Sequence, residues 1–149
     1  MKKRSKKLLF ILAFILIVLI VGIVWYQIPT KLLRGNSSTI AEIYLFDGDT
    51  GREMIVSDPD AVSFIVGELQ DVCFKRDGLA LGFGTSYHLQ FITDTGRTKA
   101  QFIIQTSRQV KKGILFYTLS DESENLKALR VYLEKLLDWS LTDTGTIPA

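Results

Sequence analysis

Residues 86–106 read SYHLQFITDTGRTKAQFIIQT. Tyr87, Leu89 and Phe91, then Ala100, Phe102 and Ile104, alternate with polar partners such as His88, Gln90 and Gln101. Between the two runs stands Asp94-Thr95-Gly96-Arg97, a turn of the Asx-Gly kind. A period of two with one wetter face predicts a pair of antiparallel strands whose other face is covered. The fold class follows from asking what covers it.

Working towards the N-terminus, the segment 79–84 is apolar and glycine-rich, and reads either as an internal strand or as an exposed loop. Before it come Val72 to Lys75 and a loop at 76–78. Ser57-Asp58-Pro59 opens a helix, with Ser57 or Asp58 as cap and Pro59 in the first turn, where its missing N–H does no harm. Ala61, Phe64, Ile65 and Leu69 recur at helical spacing, and Val62 and Val66 widen the apolar face. Strands at 39–46 and 52–56 flank Asp47-Gly48-Asp49-Thr50-Gly51 as a hairpin.

Towards the C-terminus, a basic turn at 108–113 leads to a strand at 114–119. Asp121 and Glu124 then stand three apart, the spacing of a capping box, ahead of Leu126, Leu129, Leu133, Leu136 and Leu137 on one helical face. The order β-β-α-β3/4-α predicts an α+β domain over 39–141, with both helices on one face of an antiparallel sheet. This order resembles the TATA-box-binding-protein-like group of folds, a layout that hosts unrelated functions and implies no activity.

The N-terminal part is written for another solvent. Residues 8–26, LLFILAFILIVLIVGIVWY, contain no charge and would rise about 28 Å as a helix, close to the hydrocarbon thickness of a bilayer. Lys2, Lys3, Arg4, Lys6 and Lys7 precede this run, while Lys31 and Arg34 are the basic residues shortly after it. That bias predicts a cytoplasmic tail at 1–7, a transmembrane helix at 8–28 and an extracytoplasmic domain. Trp25 and Tyr26 fall at the outer headgroup level, and Pro29 stands just beyond. No small-residue cleavage site ends the apolar run, so a signal anchor in a bacterial cell envelope is expected rather than a removed leader. Residues 29–38, ending in Gly35-Asn36-Ser37-Ser38, read as a flexible tether, and 142–149 as a flexible tail.

Composition narrows the chemistry. The formal net charge is +2, but five of the 18 basic residues lie in the first seven positions, leaving 13 basic against 16 acidic residues elsewhere. Nothing in that balance points to nucleic acid. Cys73 is the one cysteine and His88 the one histidine, so no disulfide and no Cys/His metal set is available within one chain. Cys73, in an apolar run, is expected as a buried small hydrophobe. Asp47, Asp49 and Glu53 resemble the opening of a calcium loop, yet Arg52 stands where such a loop needs glycine and Asp58 where it needs a bidentate glutamate. No cofactor motif, nucleophile elbow or catalytic set is recognisable.

The whole layout, an anchor followed by a domain with strand-DG-x-x-G-strand-D-P-helix, resembles small uncharacterised membrane-anchored extracytoplasmic proteins of Gram-positive bacteria. That resemblance brings no functional residues with it. The expected function is a membrane-tethered, non-enzymatic interaction module that binds an envelope protein or peptide. The sheet face or the apolar segment of Leu79, Leu81 and Phe83 would form its contact. The alternative is an envelope enzyme or small-ligand sensor built from the acidic residues and His88. Arg108, Lys111 and Lys112 form a small basic turn suited to anionic lipid or wall polymer.

Overall fold

A computed structural model describes residues 2–33, 39–80, 86–123 and 125–140. The protein is α+β: an N-terminal apolar helix, one seven-stranded antiparallel sheet and two further helices. Helix α1 is Lys2–Gln27, then follow β1 (Ile40–Asp47), β2 (Glu53–Val56) and α2 (Pro59–Gln70). Strands β3 (Phe74–Leu79), β4 (Tyr87–Thr93), β5 (Thr98–Ile104), β6 (Gln109–Lys112) and β7 (Leu115–Leu119) precede α3 (Lys127–Trp139). The spatial order is β2-β1-β4-β5-β6-β7-β3. Five strands follow α2 where the sequence suggested three or four.

Strand alternation divides the sheet into a dry and a wetter face. Ile43 sits between Val56 and Phe91, and Leu45 beside Leu89, which faces Phe102. Ile104 opposes Val110, and Phe74 opposes Leu119. All are buried, in one cluster with Ile65, Val66 and Leu69 of α2 and Leu129, Leu133, Leu136 and Leu137 of α3. The two helices meet through Phe64 and Tyr132, whose rings lie 4.5 Å apart. The other face carries the row Phe46, His88, Ile103, Lys111 and Phe116, each half-buried.

Helix α2 starts as its sequence requires: the Asp58 carboxylate accepts from the Ala61 N–H at 2.9 Å. Helix α3 does not. It begins at Lys127 with no side-chain cap, and the Asp121 carboxylate accepts from the Ser123 N–H and hydroxyl instead of closing a capping box. Glu124 lies outside the described residues. What holds the start of the helix is Asn125, one residue before the cap position, whose side-chain oxygen accepts from the Lys127 N–H at 3.1 Å, together with the Leu126 N–H, which donates to the Ser107 carbonyl at 2.6 Å.

Three segments differ from the sequence reading. Residues 76–78, read as a loop, are strand: Arg76 pairs with Tyr117 and Gly78 with Phe116, with a register shift between them. Gly78 has φ +132°, a backbone that L side chains rarely adopt, and this admits the bulge. The basic turn at 108–113 is largely β6, so the true hairpin tip lies at Gly113 (φ +60°) and Ile114. The segment 29–38, read as a tether, is ordered through Leu33: Thr30 exchanges backbone hydrogen bonds with Phe74 at 2.7 and 2.9 Å, and Leu32 and Leu33 are buried in the core. Of the tether, 34–38 fall outside the described residues, as does the tail at 142–149. Cys73, expected inside, is half-buried.

Candidate functional site

Helix α1 contains one span, Lys6–Gln27, that is long and apolar enough to cross a membrane or to act as a signal segment; its most apolar 18-residue stretch has a mean hydropathy of 3.3 and none of that stretch is buried. At about 1.5 Å per residue the whole span measures roughly 33 Å, enough for a hydrocarbon core of about 30 Å. Lys6 and Lys7 are exposed at its start. Trp25 and Tyr26 lie at its other end, and the folded domain engages it there. The Arg76 guanidinium of β3 stacks over the Trp25 ring at 3.7 Å and donates to the Trp25 carbonyl at 2.7 Å. A further Arg76 contact reaches the Ile28 carbonyl at 3.4 Å. A cation on the last carbonyls of a helix meets both their unpaired acceptors and the negative end of the helix dipole.

Beside this clasp lies a cleft of about 290 Å³, lined by Thr30, Lys31, Leu32, Arg76, Lys99 and Lys112 together with Ala100 and Tyr117. The Lys112 ammonium donates to the Leu32 carbonyl at 3.0 Å and that of Lys99 to the Thr39 hydroxyl at 2.7 Å. The Arg76 Nε is buried with no hydrogen-bond partner among the described residues. Four cations thus converge from the segment after α1, from β3, from β5 and from β6, and none of the lining residues is acidic. They come from four separate segments, so the sequence does not show that they meet. Of the basic turn read from the sequence only Lys112 belongs to it. Lys111 lies on the wetter sheet face, and Arg108 donates to the carbonyls of Asp121 and Glu122.

The apolar segment is only partly described. Leu79 closes β3 and is 59% exposed, opposite Leu115, while Leu81 and Phe83 lie outside the described residues. Its spatial neighbour was not foreseen: the Ala80 N–H donates to the carbonyl of Ile114, which is 75% exposed at the hairpin tip. Strand β3 is the sheet edge, and beyond Phe74 no described strand pairs with its outer side.

The acidic residues and His88 are not brought together. Asp47 is buried towards the helices, where it accepts from the Asp49 N–H at 3.0 Å and the Thr50 hydroxyl at 2.5 Å. Burial opposes its charge, but these hydrogen bonds and the Arg52 guanidinium outweigh it and hold the carboxyl below its usual pKa. Arg52 bridges onward to Asp138 at 2.6 Å, tying the first hairpin to the end of α3. Glu53 lies on the other face, where the Tyr44 hydroxyl donates to it. His88, also on that face, bonds Gln101 at 2.6 Å, and burial lowers its pKa so that it stays neutral at neutral pH. Among the described residues no group of three or more His, Cys, Asp or Glu side chains is placed to hold a metal.

Comparison of the chain with protein-family models, with curated proteins and with solved structures returned no match.

Proposed function

We propose that the chain is a single-pass membrane protein with a cytoplasmic N-terminus, whose extracytoplasmic domain binds an envelope protein or peptide without catalysing a reaction. The observation that carries this reading is the junction between helix and domain. Arg76 holds the end of α1, and Thr30, Leu32 and Leu33 complete the sheet and core immediately after it. A segment destined for removal has no need to be built into the fold that follows it, so the junction favours a retained anchor.

The contact surface in this reading is the β3 edge with Leu79 and Ile114. Open strand edges pair with extended peptides, and Leu79 and Ile114 are both exposed where the Ala80–Ile114 backbone hydrogen bond closes the end of the edge. Lys75, Arg76, Asp77 and the bulge at Gly78 limit the open-ended pairing that leads to aggregation. Asp47 and Glu53 lie on opposite faces of the sheet, which speaks against the enzyme or sensor alternative that would combine them with His88.

Two measurements test the proposal. A C-terminal tag on the membrane-bound, full-length chain should be digested by external protease in intact cells; a protected tag, or a shortened chain free of the membrane, overturns the topology. A photo-crosslinking residue at position 114 should give a discrete adduct of higher mass that Leu79→Ser weakens. Absence of any adduct removes this edge as the contact.

A further inference from the structure

From the cleft beside α1 we infer that the protein binds a phosphate group at the membrane surface through Lys31, Arg76, Lys99 and Lys112. The inference rests on the membrane-anchored reading for where the cleft sits, and on the cleft alone for what it binds. Arg76 fixes the location: its guanidinium lies against Trp25, and a tryptophan ending an apolar span sits at headgroup level. The cleft that Arg76 lines therefore lies close to the layer where lipid phosphates sit.

The chemistry is that of an anion site. Four formal positive charges line about 290 Å³ of space with no acidic residue among the lining groups. Asp77, the carboxylate nearest in sequence to Arg76, is engaged elsewhere, accepting from Thr118 at 2.6 Å and Gln109 at 3.1 Å. Thr118 follows Tyr117 in β7, so its side chain points to the sheet face opposite the cleft. Converging cations repel one another, and the buried Arg76 Nε donor has no described acceptor. A phosphate oxygen relieves both, since it supplies negative charge and strong acceptors to a guanidinium. The volume suits a headgroup and excludes a whole lipid, whose chains remain in the bilayer beside α1.

The test uses the full-length chain in maltoside micelles, whose headgroups carry no phosphate, titrated with dihexanoyl phosphatidylglycerol and separately with inorganic phosphate. Saturable calorimetric binding of the lipid alone identifies a headgroup ligand, and binding of both identifies the phosphate group itself as the ligand. Lys31→Gln should weaken binding about fivefold, and Lys31→Gln with Lys99→Gln about 25-fold, at roughly 1 kcal/mol for each cation. Lys31 is exposed, so its variant should unfold at the same temperature as the unaltered chain. Failure of both ligands to bind, or unchanged affinity in a variant that melts normally, overturns the inference. Carbonate extraction of native membranes tests the anchor separately, so a chain that binds phosphate in micelles but is released by carbonate sinks the anchored reading and leaves the cleft standing.

Discussion

Replacing Leu33 by alanine should unfold the domain far more readily than its position in the sequence suggests. Leu33 is 2% exposed and lies in the same cluster as Phe74, Val110 and Leu119. Truncating a buried leucine costs about 2–5 kcal/mol, the lost transfer energy plus the cavity left behind. Against a total of about 5–15 kcal/mol for a domain, that is a large share. With a urea dependence of about 1.5 kcal/mol per molar, the midpoint should fall by roughly 1.3–3.3 M. The assay is urea unfolding of the full chain in maltoside micelles, followed by near-ultraviolet circular dichroism, which reports side-chain packing and not the micelle-held helix. Lys31→Ala, two positions away and exposed, is the control and should stay within about 0.5 kcal/mol of the unaltered chain. Equal midpoints for the two variants would refute the claim that the fold begins immediately after α1.

Asp47→Asn should flatten the acid limb of the stability profile. Because the folded carboxyl has a depressed pKa, its contribution is present above the unfolded value of about 3.9 and is lost as pH falls through the folded value. Unfolding midpoints measured between pH 7 and pH 2 should therefore fall less steeply in the variant at the acid end. Gly78→Ala should cost about 1–3 kcal/mol in the same urea assay through backbone strain alone, since nothing lies within 4 Å of the added methyl group and φ is +132°. Arg76→Gln in a Trp139→Phe background should shift the emission of Trp25, over which the guanidinium lies at 3.7 Å. An unmoved spectrum would show that the clasp does not form.

What the sequence revealed was what short-range pattern encodes. The β4–β5 hairpin announces itself through strict alternation around Asp94-Thr95-Gly96-Arg97, and α2 through Asp58, Pro59 and a wide apolar face. Strand β3 was misread because Arg76-Asp77-Gly78 has turn composition. Only its pairing with β7, some forty residues on, makes it strand, and only glycine permits the bulge. Leu32 and Leu33 have no periodic company and follow a membrane-length helix, so nothing local distinguishes core from linker. At the start of α3, Asp121 had a nearer partner in Ser123, and local side-chain bonds of that kind compete with caps. The cationic cleft was illegible for a stricter reason: its four charges come from separate segments and meet only in the folded chain. Leu79 was singled out from its run, but Ile114, whose carbonyl accepts from the neighbouring Ala80, gave no signal of its own.

The ordered junction also sets how strong any contact must be. Only two residues separate the end of α1 at Gln27 from Thr30, which is already paired to β3, a span of no more than about 10 Å. In the membrane-anchored reading the domain is confined to a thin layer, and it meets other molecules held in that layer at effective concentrations that reach about millimolar for short connections. A millimolar dissociation constant corresponds to about 4 kcal/mol. Burying Leu79 and Ile114 would supply roughly 3–6 kcal/mol at about 1.5–3 kcal/mol each, before the cost of association is subtracted. In that reading a contact between neighbours in one membrane needs far less affinity than one with a partner free in solution at micromolar concentration.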